Sequence, residues 1–138
     1  MAEKTGQMII SGKRKTAVAK LRMKEGKGNI FYNGLPSTEL PLFHKLALFE
    51  PLRIYEHELS EMPAFDFHIT TSGGGKEAQI QAARLALAKA LFLNSGSDIL
   101  KKSYLAYDRN MLVADSRRKE ASKPGDSAPR AKRQKSYR

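Results

Sequence analysis

Three groups of residues in this chain have the types and spacing to do chemistry. The first is Ser11-Gly12-Lys13-Arg14-Lys15, three cations beside a glycine at the entrance to an alternating segment that adds Lys20, Arg22 and Lys24. A cationic loop feeding a cationic sheet face makes one continuous patch, the electrostatic footprint of a polyanion site. The second is Gly73-Gly74-Gly75, which stands between an alternating segment and a helical one. Such a loop can cradle phosphate with bare amides at a helix N-terminus. It lacks the Lys-Ser/Thr of a nucleoside-triphosphate loop and the spacing of a dinucleotide loop, so a sharp turn is the favoured reading. The third is the run Ser116 to Arg138, SRRKEASKPGDSAPRAKRQKSYR, with nine basic and two acidic side chains. It holds no Leu, Ile, Val, Met or Phe. It is therefore expected to stay extended and mobile until a polyanion neutralises it.

Other chemistries find little support. With no cysteine among 138 residues, disulfides, thiolate metal sites and thiol catalysis are excluded. His44, His57 and His68 are scattered, without metal-ligand spacing, and no nucleophile elbow or other catalytic signature is present. We expect no catalytic residues, no metal and no cofactor. The N-terminus is too polar for a secretory signal and no apolar run reaches membrane-spanning length. No amphipathic anchor accompanies the basic run, so no membrane partner is expected.

The elements that must position these groups follow from periodicity. Ala17, Ala19, Leu21 and Met23 alternate with Val18, Lys20, Arg22 and Lys24, which predicts a strand with one buried and one basic face. Gly26-Lys27-Gly28 and a second strand, Asn29 to Asn33, read as the rest of a β-hairpin, with Gln7 to Ile10 as a short leading strand. Pro36 to Leu52 predicts a helix capped by Ser37 or Thr38, packed through Leu42, Leu46 and Phe49, and ended by Pro51. Phe65 to Thr71 alternates as a strand, with Phe65, Phe67 and Ile69 on one side and Asp66, His68 and Thr70 on the other. Lys76 to Leu93 is the clearest helix, with Ile80, Ala83, Leu87 and Leu91 along one stripe. Ser97 caps a further short helix. Apolar content falls after Ala106, which places the domain edge near Asp115: residues 1–115 form a globular domain and 116–138 a tail.

Charge divides the same way. Net charge is +11 and the pI about 10.0. Residues 1–100 contribute +3 and residues 101–138 contribute +8. A balanced body with a basic tail is the layout of a nucleic-acid binder.

Three segments together resemble the universal S-nine proteins of the small ribosomal subunit, in the archaeal or eukaryotic form. They are GKRKTAVAKLRM (Gly12 to Met23) with the later Asn33-Gly34; GGGKEAQIQAARLALAKAL (Gly73 to Leu91), with Gln79, Ala78, Ala82, Ala86, Ala88 and Lys89 at their intervals; and YDRNMLVADSRRKE joined to a tail ending QKSYR. The resemblance spans Ile10 to Arg138. It implies a two-layer α/β (α+β) domain, a roughly four-stranded sheet with helices on one face and an unusual left-handed crossover, followed by an extended basic C-terminal tail. It also implies a structural, non-enzymatic role in translation, within the cytoplasmic ribosome. Its partners would be small-subunit rRNA, neighbouring proteins of the subunit head and the peptidyl-site tRNA. The rRNA contacts would fall to Lys13, Arg14, Lys15, Lys20, Arg22, Arg109, Arg117, Arg118, Lys119, Arg130, Lys132 and Arg133. Lys135, Tyr137 and Arg138 would approach tRNA. A 23-residue tail can span up to ~76 Å, far beyond a body with a radius of gyration near ~13 Å. The alternatives are a free-standing nucleic-acid-binding protein and, on fold analogy alone, a small-molecule kinase using the glycine loop.

Overall fold

The computed structural model describes residues 8–137. Five strands and three helices follow one another as β1 (Ile9–Arg14), β2 (Ala17–Glu25), β3 (Ile30–Tyr32), β4 (Leu35–Pro36), α1 (Leu42–Leu59), β5 (Phe65–Ser72), α2 (Lys76–Ser95) and α3 (Asp98–Tyr107). Single 3-10 turns occupy Ser37–Glu39 and Arg109–Met111. The sheet order is β1-β2-β5-β3-β4, antiparallel except where β3 runs parallel to β5. This is the expected α+β domain with a fifth strand, β4, only two residues long.

Alternation builds the core. Ile10 and Gly12 on β1, Ala17, Ala19 and Leu21 on β2, Phe67 and Ile69 on β5, and Ile30 and Tyr32 on β3 all point inward and are buried. Helix α2 lies against β1, β2 and β5, α1 packs on α2, and α3 on α1. The α2 stripe of Ile80, Ala83, Leu87 and Leu91 is buried as expected, and Ala78, Ala82, Ala86 and Ala88 join it. Those alanines have a steric purpose. The backbone of β1 approaches α2 so closely at Gly12 that a Cβ there would overlap the Ala82 carbonyl and lie 2.8 Å from the Ala86 nitrogen. A strand glycine marks such a close approach.

Several local expectations are corrected. Ser11 to Arg14 is not a loop: it belongs to β1, which pairs with β2 from Ile9↔Arg22 to Arg14↔Ala17. Gln7, in the expected leading strand, lies outside the described residues. Only Lys15 and Thr16 turn the chain, with Lys15 at φ 53°. Likewise β2 and β3 are not a hairpin, because β5 inserts between them. The connection through Gly26 to Gly28 instead passes over the start of β5. There the Asp66 carboxylate accepts from the amides of Lys27 and Asn29, both at 2.9 Å. Helix α1 starts at Leu42 and runs through Pro51 to Leu59. It buries Leu48, Pro51, Leu52 and Tyr55 while Leu42 and Leu46 are exposed. Packing of that buried run carries the helix past the proline, whose missing N–H would otherwise favour a break. The Tyr104 hydroxyl of α3 donates to the Pro51 carbonyl at 2.8 Å. Burial, with Tyr55 adding to it, pushes the Tyr104 hydroxyl well above its ordinary pKa.

Gly73 and Gly74 both have positive φ, 71° and 64°. Added Cβ atoms would lie 2.7 Å from the Thr16 carbonyl oxygen and 2.9 Å from the Ala17 Cβ. The loop is thus folded tightly against the β1–β2 turn, and Gln79 braces it by donating to the Gly73 carbonyl at 3.0 Å.

Candidate nucleic-acid interface

Helices cover one face of the sheet. The other presents the outward alternates: Ser11 and Lys13 from β1, Lys20, Arg22 and Lys24 from β2, and Thr70 from β5, all exposed. Lys24 is opposite Asp66 in register. That carboxylate serves the β2–β3 connection, and the amides of Asn29 and Lys27 hold it below the usual carboxylate range. Its charge therefore persists and opposes that of Lys24, whereas Lys13, Lys20 and Arg22 have no carboxylate partner among the described residues.

A second cationic group forms at the β1–β2 turn. Arg14, Lys15, Thr16, Arg117, Arg118 and Lys119 line one hollow, although about a hundred residues separate its two parts. Asp115 draws them together. Its carboxylate pairs with the Arg14 guanidinium and takes the Arg117 Nε at 2.9 Å and the Arg117 amide at 2.9 Å. Asp115 retains 9% side-chain exposure and Arg14 18%, against 78% for Arg117. The buried half of this cluster fixes the root of the arm to the end of β1, and the exposed half remains available. Arg14 Nε has no partner among the described residues.

Arg84 makes a second internal pair, with Glu50 at 2.6 Å and Asp108 at 2.9 Å, tying α1, α2 and the turn after α3 together. Burial alone would raise the Asp108 carboxyl, but Arg84 and the Asn110 amide hold it below its ordinary value. Arg109, next in sequence, is exposed. Its neighbours Asp108 and Asn110 share a hollow with Lys13 and Arg14.

Beyond Met111 the chain has no helix or strand through Tyr137, and most of it is exposed. Within this arm Glu120 receives Arg130 at 3.0 Å, and Arg133 donates to the Gly125 carbonyl at 3.1 Å and lies 3.9 Å from Asp126. Lys119, Lys123, Lys132 and Lys135 have no carboxylate partner among the described residues. Tyr137 is 87% exposed. Arg138, expected to carry a tRNA contact, lies outside the described residues.

All of the expected site residues except Arg109, Tyr137 and Arg138 fall into three sets. Arg14, Lys15, Arg117, Arg118 and Lys119 come together at the turn. Lys13, Lys20 and Arg22 stand on the sheet face. Arg130, Lys132, Arg133 and Lys135 lie along the arm. Sequence reasoning missed Asp115 as the tie between turn and arm, since nothing local marks its pairing with Arg14. The histidines are separated: His44 meets Glu77 at 2.7 Å, His57 meets Glu58 at 3.3 Å, and His68 stacks on Phe31. Among the described residues no group of three or more carboxylate and imidazole ligands could hold a metal, and no helix is long and apolar enough to cross a membrane.

This geometry defines a class, a small α+β protein whose unneutralised cations gather on an open sheet face, a hairpin turn and an arm. The family described as Ribosomal protein S9/S16 matches residues 12–138, and the chain belongs to it. It is a family of ribosomal proteins, not of enzymes. The small ribosomal subunit protein uS9 of Methanococcus maripaludis is 45% identical over 130 residues, covering 92% of this chain and 95% of its own length. The uS9 protein of Methanothrix thermoacetophila is 41% identical over 129 residues, covering 93% and 96%. Both relatives are archaeal, in keeping with the archaeal or eukaryotic form that the three segments resemble.

Proposed function

We propose that this protein is a structural constituent of the small ribosomal subunit, binding rRNA in the subunit head and extending its C-terminal arm toward the peptidyl-site tRNA. The observation that carries this reading is the arm itself: it is basic, lacks helix and strand, and is rooted on the body by the Asp115 clamp. Residues 1–115 serve as the anchor and 116–138 as the probe. Lys13, Lys15, Lys20, Arg22, Arg109, Arg117, Arg118, Lys119, Arg130, Lys132 and Arg133 hold phosphates, and Arg14 supports them from within the clamp. Lys135, Tyr137 and Arg138 lie at the end of the chain that meets tRNA. A guanidinium suits that position because its planar fork can hold phosphate oxygens bidentately and stack on a base. Exposed Phe43, on the first turn of α1 at 81% exposure, supports contact with a neighbouring head protein. The working location is the cytoplasmic ribosome.

The test is deletion of Arg138 in assembled ribosomes. Subunits should assemble at normal yield while tRNA retention at the peptidyl site falls. Retention and decoding equal to those of the full chain would refute the role of the tip.

A further inference from the structure

We propose that the open face of the sheet carries a stacking site for an unpaired RNA base, built from Arg22, His68 and Phe31. The proposal rests on the RNA-binding reading above and adds to it a place and a chemistry.

Strand register sets Ile9, Arg22, His68, Phe31 and Pro36 in a single row across all five strands. The His68 and Phe31 rings stack, with centroids 4.8 Å apart and planes 10° apart. Both are half-buried, and the flanking Arg22 and Pro36 are exposed. The core does not use this row. Its inward neighbours on the same strands, Ile30, Tyr32, Phe67 and Ile69, are the ones buried. A guanidinium, an imidazole and a phenyl ring each offer a flat surface, and bases stack on all three. Two aromatic rings on the solvent side of an uncovered sheet are a stacking platform.

The adjoining rows favour a polyanion as the occupant. Ser11, Lys20 and Thr70 stand on one side and Lys24 and Asp66 on the other. Lys20, Arg22 and Lys24 follow one another at alternate positions of β2, about 6.7 Å apart. That line can follow a phosphate backbone along β2 while a base stacks on the face of His68 that Phe31 leaves free, the one toward Arg22. The one carboxylate in these rows, Asp66, already accepts two backbone amides. The base must be unpaired, from a single strand, loop or bulge, because a paired base spends both π-faces on its duplex neighbours.

The experiment uses the full chain, isotopically labelled, at low salt. Two probes are titrated: an octamer of adenosine and the matched abasic ribose-phosphate octamer. The adenosine octamer should move the His68 and Phe31 ring-proton resonances upfield, and the abasic octamer should leave them in place. Phe31→Leu should weaken adenosine-octamer binding roughly tenfold, without altering the dependence on salt, because no phosphate contact is removed. His68→Gln, a milder change to the fold, should weaken it in the same direction. Unmoved ring resonances while arm resonances titrate, or unchanged affinity in both variants, would overturn the stacking site and leave arm-based RNA binding standing. Failure of both probes to bind would overturn the RNA-binding reading along with it.

Discussion

The arm's part in RNA binding can be measured as a salt dependence. Eight Lys and Arg side chains lie between Arg117 and Tyr137. Arg117, Arg130 and Arg133 face Asp115, Glu120 and Asp126. The other five, Arg118, Lys119, Lys123, Lys132 and Lys135, face no carboxylate among the described residues. Each cation that neutralises a phosphate releases condensed counterions and adds about 0.7 to the slope of log K against log salt for single-stranded RNA, or about 0.9 for a duplex, the latter value taken from B-DNA. Changing the five free cations to Gln in the full chain should therefore reduce the slope by about 3.5 to 4.5. Between about 50 and about 200 mM salt, the parent should then lose roughly 130- to 500-fold more affinity than the variant. Fluorescence anisotropy with a small-subunit rRNA fragment over that range gives both slopes. Slopes that agree within about one unit would show that at most one of these five side chains touches a phosphate, and the arm's unpaired cations would have to be read as something other than RNA ligands. The slope that remains in the variant measures the other cations, including any paired arginines that have exchanged their carboxylates for phosphate, as such exposed pairs readily can.

Two further predictions concern the body. Gly12→Ala drives a methyl into the α2 backbone, where no side chain can swing away, and should lower stability by at least about 2 kcal/mol in urea unfolding; an unchanged midpoint would mean that α2 does not lie so close to β1. The Asp66 carboxyl titrates below its unfolded value in the native state, so its contribution is complete above about pH 5 and fades as pH falls through the ordinary carboxylate range toward the native value. Asp66→Asn should thus flatten the acid limb of the stability profile between pH 5 and 3, and superimposable profiles for the two proteins would remove Asp66 as its source.

What could be read from the sequence was what short-range periodicity encodes. Strand β2 was legible because alternation has only one good reading there, and α2 because its apolar stripe recurs over about three turns. The strand order was not. The Gly26–Gly28 turn is compatible with a hairpin, and the competing partner, β5, comes more than thirty residues later. Its insertion is decided by how Phe67 and Ile69 join Leu21 and Ile30 in one core, a property of the assembled sheet. Ser11 to Arg14 looked like a loop because Ser11 and Lys13 lie on the uncovered face, while the inward positions hold a glycine and an arginine and carry no hydrophobic signal. Pro51 looked like a stop because the proline rule is local, whereas the packing that carries α1 past it comes from other elements. The cationic patch was visible in composition, but the tie between its halves is one carboxylate about a hundred residues from its partner.

That tie explains why the chain keeps two populations of arginine. Arg14 and Arg84 are largely buried and face carboxylates; removing either partner would leave a desolvated charge, which is strongly unfavourable. They hold the body in one shape. The other arginines among the described residues stand in solvent, where a pair contributes little to stability and a phosphate can displace a carboxylate at small expense. Arg117 stands between the two populations, because its amide and guanidinium both reach Asp115 while most of its side chain stays exposed. A polyanion arriving at the Lys15–Lys119 hollow can thus engage Arg117 without releasing Arg14, so the root of the arm keeps its direction as its outer charges change partners. An arm that must reach a distant target needs a root of this kind, since an error of direction there grows with every residue that follows.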